Sequence, residues 1–418
     1  MLETTHTVTA DLGDTAVPAL MAELAAPSGQ ADPYPIYARL RRLGPAVAGP
    51  GDALVVCGYR ECSALLREPR LRKNPGRLLE ASGFADWRQR PALSLMFESM
   101  LMINPPEHTR VRSRVARGFT ARRVAAMRPS VEAIADRLLD GLAGETDFVE
   151  AVAFPFPVTV IGELLGVPAG DRAMFRTLVG EWAAVLEILS PPAVDRADVA
   201  AAAIIDYFRD LAARRRADPR DDLVSALTRG DGDDGGHDDD GPLSDDEIIR
   251  TAALILAAGF ETTTGLLSNG LVALLNHPDQ ADRLRAEPTL ARPAIDELLR
   301  FDAPVQMIYG RTAVDDLVVG DLPLHAGQRI ITVLGAANRD PSVFADPDRL
   351  ILDRDEGVPL SFGAGIHHCL GAALARLEGE VMLPRLLRRF PRLRRTGPGE
   401  RRLGNTIRGY ASLPLALE

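Results

Sequence analysis

The segment Ser361–Arg376, SFGAGIHHCLGAALAR, sets a cysteine between a glycine-rich stretch and a helical pattern. A helix start directs free N–H groups and the positive end of its dipole toward the Cys369 sulfur. Both favour thiolate over thiol, and thiolate is the form that binds metal. Gly363 and Gly365 permit φ > 0 and a close backbone approach to a flat ligand, and Gly371 leaves room on the helix side. A second constellation, Ala258-Gly259-Phe260-Glu261-Thr262-Thr263, places an acid beside an alcohol in an otherwise apolar helical run. Such a pair can hold and relay protons. A threonine there can also bond back to the i−4 carbonyl, and with Gly259 beside it a local kink or widening is expected. Glu297 and Arg300 stand at i, i+3 and share a helix face, as do His108 and Arg112 at i, i+4. Any one of these alone reads as a buried thiol, a surface turn or a solvated ion pair.

The elements that position these residues are mostly helical. Amphipathic or apolar periodicity predicts helices over Pro33–Leu43, Tyr59–Leu66, His108–Ala126, Pro129–Leu142, Phe156–Leu165, Ala193–Arg215, Pro293–Phe301 and Leu370–Phe390. Ser244 and Glu247 form a capping-box pattern after Pro242, which opens a long helix ending near Asn276. Its length of roughly 45–50 Å would cross the whole molecule. Short strands are expected over Leu54–Val56, Leu317–Val319 and Arg329–Val333, and extended hairpin structure over Leu403–Leu417. The fold class is mainly α with a minor, irregular β part.

With 46% hydrophobic and 25% charged residues, the chain can build a core large enough to enclose a cofactor. A net charge of −10 disfavours nucleic-acid binding. Lys73 is the only lysine, so the other basic residues are arginines. Cys57, Cys62 and Cys369 are too few for a disulfide framework and suit a reducing cytoplasm. The N-terminus is polar and acidic, unlike a leader or anchor, and no uninterrupted apolar run predicts a membrane span. The acidic, glycine-rich stretch Gly230–Gly241 reads as a solvated loop, with His237 a loop histidine.

Phe362-Gly363-x-Gly365-x-His367-x-Cys369-x-Gly371 resembles the heme-binding signature of the cytochrome P-450 family. AGFETT, upstream of it as in the family's motif order, resembles the oxygen-activation segment of the family's central helix, and Asn104–Arg112 (NPPEHTRVR) resembles the family's D-P-P-E-H-T-R-L-R segment. The resemblance implies a long central helix over heme b, with Cys369 as axial iron ligand and Phe362, Gly363, Gly371, Ala258 and Gly259 against the cofactor. It implies that His108, Arg112, Arg311 and His367 meet the heme propionates, and that Glu261 and Thr262 deliver protons. Glu297 and Arg300 should form a buried network joined by Arg349. The substrate walls should include Phe84, Trp87, Met96, Leu254, Met307, Ile308, Thr406 and Ile407.

The implied enzyme is a heme-thiolate monooxygenase that inserts one oxygen atom from O2 into a bulky, largely apolar substrate, a tailoring step in secondary metabolism. Electrons come from NAD(P)H through ferredoxin reductase and ferredoxin, which docks on a basic face carrying Arg110, Arg114, Arg117, Arg122 and Arg123. Oxidative coupling by the same heme is the rival within the family; a non-catalytic heme-fold partner and a peroxide-driven enzyme are further rivals. An N-terminal extension over 1–30 is expected to be flexible, ahead of one catalytic domain over 31–418. The protein is expected to be a cytoplasmic monomer.

Overall fold

The computed structural model describes residues 10–187, 189–229 and 242–417. The acidic stretch and His237 lie outside the described residues, as do residues 1–9. The fold is organised around one helix, Asp245–Asn276, which spans 32 residues. Ser244 caps it: its side chain accepts from the Glu247 N–H, and the Glu247 carboxylate accepts from the Ser244 N–H at 2.8 Å. Apolar residues surround this helix on all sides because it is core. Its most apolar window is long enough to cross a membrane, but 78% of that window is buried inside the protein. The helices Pro155–Leu165, Pro191–Ala217, Ala291–Phe301 and Ala372–Arg389 pack around it.

Thr262 Oγ1 donates to the Ala258 carbonyl at 2.6 Å, the expected back-bond. The helix nevertheless runs unbroken through 258–263, so the expected kink or widening is not there. The arginine-rich segment over 108–126 is two helices rather than one. Glu107–Ala116 ends in a tight turn, and Ala121–Asp140 restarts on the Thr120 cap. The N-terminal extension is also revised. Ala10–Ala25 and Pro27–Ala31 are helical, and Val17, Leu20 and Leu24 are buried with Ile36, Tyr37 and Leu40. That apolar face needs burial, so the described part of the extension is packed. Cys57 and Cys62 are buried, their thiols donating to backbone carbonyls at 3.3 Å.

The larger sheet has the order Ala46–Ala48, Ala53–Val56, Arg329–Val333, Met307–Ala313, Leu71–Lys73. Its last pair is antiparallel, and the register sets Lys73 opposite Arg311. The C-terminal strand Pro414–Leu417 does not simply fold back on its own tail. It lies between Gly144–Asp147 and Arg394–Arg395, so the tail closes a sheet with a distant segment.

A buried ionic network ties the helix Ala291–Phe301 to the cysteine loop. Arg300 donates to both Glu297 oxygens, at 2.6 and 2.9 Å, and both side chains are almost fully buried. Arg300 also donates to the Asn338 carbonyl at 3.0 Å. Asn338 in turn bonds Ser361 Oγ and the Leu360 N–H, at 2.9 and 2.7 Å. The third cation of the network is Arg354, not Arg349. Arg354 Nε lies 3.2 Å from the Glu297 carboxylate with its side chain 4% exposed. Arg349 is 73% exposed beside Asp346 and gives the network only its backbone carbonyl. The reason is local: Asp346 turns the chain at positive φ, which leaves Arg349 outside and brings Arg354 back beneath Glu297. Removing one member of a buried ion network strands the others' charge. Arg354→Ala should therefore lower unfolding stability by about 3–5 kcal/mol and Arg349→Ala by less than about 0.5 kcal/mol, both read by chemical denaturation. Equal losses would return Arg349 to the network.

Candidate active site

The cysteine loop folds around two left-handed glycines, Gly363 at φ +67 and Gly365 at φ +69. A Cβ on Gly365 would sit 2.4 Å from the Leu66 carbonyl oxygen, so this glycine serves a backbone-to-backbone approach. A Cβ on Gly371 would meet open space, and one on Gly363 only the His367 carbonyl oxygen at 3.9 Å. The Cys369 N–H donates to the Phe362 carbonyl at 2.8 Å and closes the loop. The following helix starts at Ala372, slightly later than the sequence pattern suggests. Cys369 is accessible, yet it lies deep enough in the protein envelope for desolvation to dominate its titration. Burial pushes its thiol pKa up, against the Gly371 N–H and the Arg112 and Arg376 guanidiniums, which pull it down. Metal binding at the sulfur would help displace its proton. For a ligand's approach, the direct accessibility of the sulfur is the measure that counts.

The central helix is buried from Thr251 to Leu274 except at Ala258, Gly259 and Thr262. Leu254, Ala258 and Thr262 share one face at spacings of four. Ala258 is the most open, as a residue facing a cofactor would be. Gly259 plays a different part, since a Cβ there would strike Ile161 Cγ1 at 2.7 Å, so it allows helix–helix contact. Glu261 is 5% exposed, and its Oε1 accepts from Arg402 Nη2 at 3.0 Å. Burial raises the Glu261 pKa and Arg402 opposes the rise. The structure does not bond Glu261 to Thr262, since each is engaged elsewhere.

A basic corner completes the site. The rings of His108 and His367 lie 4.3 Å apart. His108 is 1% exposed, and neither of its ring nitrogens has a partner. Arg112 donates to the His368 carbonyl, and Arg311, buried in its strand, donates to the Leu65 carbonyl at 2.6 Å. The residue that sequence reasoning missed is Lys73. It is 7% exposed, sits opposite Arg311, and donates to the Tyr309 carbonyl at 3.2 Å. Asn104 binds both backbone groups of Lys73, at 2.8 and 2.9 Å, which requires a side chain that can both accept and donate. The available signal was that the chain's single lysine falls in an arginine-rich sequence. Burial and Arg311 lower Lys73 to about 7. Burial and Arg112 lower His108 to about 4. Burial and the neighbouring cations lower His367 to about 3. This is what a site built for anions looks like without them: polar atoms unpartnered, cations losing protons. A flat group with two carboxylates and a thiolate-binding metal fits these residues.

The expected substrate residues divide. Phe84, Trp87 and Met96 are at most 5% exposed in the main core. Trp87, with Phe97, Met100, Ile103 and Thr251, lines a cleft of about 1070 Å³ that reaches Lys73. Strand alternation puts Met307 and Ile308 on opposite faces. Met307 packs with Val17 and Leu20 in the N-terminal cluster and is not a wall residue; Ile308 stays partly accessible. Leu254 is 8% exposed, and Thr406 and Ile407 are partly accessible. The expected basic face is less uniform than its arginines suggest. Arg110 is committed to Glu247 and Arg123 pairs with Asp221 at 3.0 Å.

Residues 175–397 match the Cytochrome P450 family. Cytochrome P450 monooxygenase PikC of Streptomyces venezuelae is 40% identical, over 92% of this chain and 91% of its own length. The chain belongs to the cytochrome P450 family. The 6-deoxyerythronolide B hydroxylase of Saccharopolyspora erythraea is 39% identical over 89% of this chain and 92% of its own. The tirandamycin C-bound P450 monooxygenase TamI superposes with a TM-score of 0.82 at 35% identity, over 94% and 99% of the two chains. As a cytochrome P450 the protein is a heme-dependent monooxygenase that takes electrons from redox partners. Helices dominate its fold, as the sequence pattern requires.

The basic corner should set the pH dependence of heme retention. A Lys73 that titrates near 7 without an anion must titrate higher beside one. Its contribution to affinity is then complete below about 7 and is lost as pH rises through the bound value. Heme transfer to apomyoglobin should speed up as pH rises above about 7, by at most about tenfold per unit from this group. In Lys73→Met the slope should flatten and transfer at neutral pH should accelerate on the order of tenfold, the scale of one charge-assisted hydrogen bond. Arg112→Ala and Arg311→Ala should also loosen heme. Wild-type retention in all of these variants would remove the corner from heme binding.

Proposed function

We propose that this cytochrome P450 hydroxylates a bulky, largely apolar natural product such as a polyketide, and that the Cys369 thiolate would bind the heme iron. The carrying observation is the corner of Lys73, His108, Arg311 and His367, where both His108 ring nitrogens are buried without a partner, in a chain whose Cys369 is accessible. Cys369 is exposed, and the buried stretch Thr251–Leu274 of the central helix opens at Ala258, Gly259 and Thr262. Bound heme supplies the reduction of dioxygen, one atom going to the substrate and the other leaving as water with two electrons and two protons. Gly371 N–H, Arg112 and Arg376 favour the Cys369 thiolate. Lys73, His108, Arg112, Arg311 and His367 hold the two heme carboxylates. Thr262 Oγ1 donates to Ala258 and keeps its lone pairs for a proton donor in the cavity. Glu261 moves protons inward from the side where Arg402 meets solvent.

The relatives support the substrate class, since their names include 6-deoxyerythronolide B and tirandamycin C. Leu254, Ile308, Thr406 and Ile407 supply an apolar wall with one hydroxyl. An acidic ferredoxin docks over the cysteine loop, where Arg67, Arg112 and Arg376 surround the exposed His368. The protein acts as a cytoplasmic monomer.

The reduced carbon-monoxide complex should show the red-shifted Soret band of thiolate ligation, and Cys369→Ala should abolish it. A variant that keeps the band would overturn the axial assignment. Thr262→Ala should bind heme and substrate normally and still oxidise NAD(P)H through its redox partners, but release more peroxide per product formed. Unchanged coupling would shift the reading toward a reaction in which a substrate hydroxyl does this work.

A further inference from the structure

Loop 402–409 touches the proton-delivering acid, the expected substrate wall and a distant helix connection at once. Its ends are joined by the Arg402 N–H donating to the Gly409 carbonyl at 3.1 Å. At its start, Arg402 is 34% exposed and donates to the buried Glu261. At its middle, the Glu187 carboxylate, from the connection before helix Pro191–Ala217, accepts three successive backbone N–H groups. These come from Asn405 at 3.0 Å, Thr406 at 2.7 Å and Ile407 at 3.2 Å. A Cβ on Gly404 would lie 2.9 Å from the Glu187 Oε1, so the loop backbone is fitted closely to this carboxylate. On the other side, the Gln306 N–H donates to the Thr406 carbonyl at 2.9 Å, and Val305 bridges Ile407. The Thr406 hydroxyl is buried with no partner, although the Thr406 N–H and carbonyl are both bonded.

A carboxylate gripping consecutive backbone N–H groups fixes a loop by strong, charge-assisted bonds. Glu187 is itself exposed, so its three bonds go to the loop's backbone and nothing in the core demands its charge. Arg402 is the sole hydrogen-bond donor to Glu261 among the described residues, and its partial exposure gives the buried acid a path to water.

Building on the proton-delivery role proposed for Glu261, we propose that Arg402 is the positioning residue for that role. Arg402 holds the Glu261 carboxylate at the solvent side of the central helix, and Glu187 holds Arg402 in place through the backbone of 404–407. The loop that presents Thr406 and Ile407 to the substrate therefore also sets how the acid is supplied with protons. The charged groups that act on Glu261 are Arg402, which lowers its pKa, and Glu187, which raises it.

The test uses the heme-loaded enzyme with its redox partners and measures the peroxide-to-product ratio against pH, beside heme content and the carbon-monoxide band. Arg402→Ala should keep both heme readouts and raise the peroxide ratio on the order of tenfold. Its midpoint for productive turnover should move alkaline by about one pH unit or more, because a buried carboxyl without its cation stays protonated to higher pH. Arg402→Lys should restore most of the wild-type profile. Glu187→Ala should raise the peroxide ratio by freeing the loop. Glu187→Gln, whose amide oxygen still accepts backbone N–H groups, should be milder and should move the midpoint toward acid. A wild-type midpoint and peroxide ratio in Arg402→Ala, with Glu261→Gln still impaired, overturns this proposal and leaves the acid's role intact. A wild-type profile in Glu261→Gln overturns both. A wild-type peroxide ratio in Glu187→Ala overturns the loop's part in it.

Discussion

Positive charge buried without a carboxylate bonded to it is the constraint on which the rest of this site depends. Lys73 and Arg311 face each other across a strand pair, each donating to a backbone carbonyl. Beside them, His108 is buried with both nitrogens unpartnered. Burying an ion costs several kcal/mol unless an opposite charge repays it. No acid bonds to this corner among the described residues; Glu68, whose charge reaches Arg311, is already paired with Arg70. The sheet register, the Asn104 clasp on Lys73 and the helix Glu107–Ala116 all serve to hold these groups toward one point. The protein thus builds an unfavourable arrangement that a bound anion would relieve.

The cysteine loop faces a different problem, since a glycine-rich loop has much conformational entropy to lose. It is held from behind. Glu297, Arg300 and Arg354 make a dry ionic cluster, and Asn338 carries its geometry to Leu360 and Ser361 at the loop's base. Buried ion clusters add little net stability compared with apolar packing, but breaking them is costly. Their use here is to fix one conformation of the loop that carries Cys369.

Elements with long periodic patterns were legible from residues alone. The central helix was bounded by its capping box, and strands Leu317–Val319 and Arg329–Val333 by their apolar runs. Features decided by tertiary contact were not. Arg349 and Arg354 sit in one short stretch, and only the turn at Asp346 determines which one faces Glu297. Met307 and Ile308 are adjacent apolar residues, and only the pairing of their strand shows which is core. Gly259 looked like room for a ligand and proved to be room for Ile161. Lys73 and Arg402 lie outside any motif, so their roles emerge only when the fold brings them to His367 and Glu261.

The seclusion of the chain's single lysine has an outward consequence. With Lys73 buried, every strongly basic side chain on the surface is a guanidinium. A guanidinium does not deprotonate in the range where proteins stay folded, and it resists the acylation that neutralises amines. The field of these surface cations is therefore permanent. Salt can weaken it, but neither a drift in acidity nor an acetyl donor can switch it off.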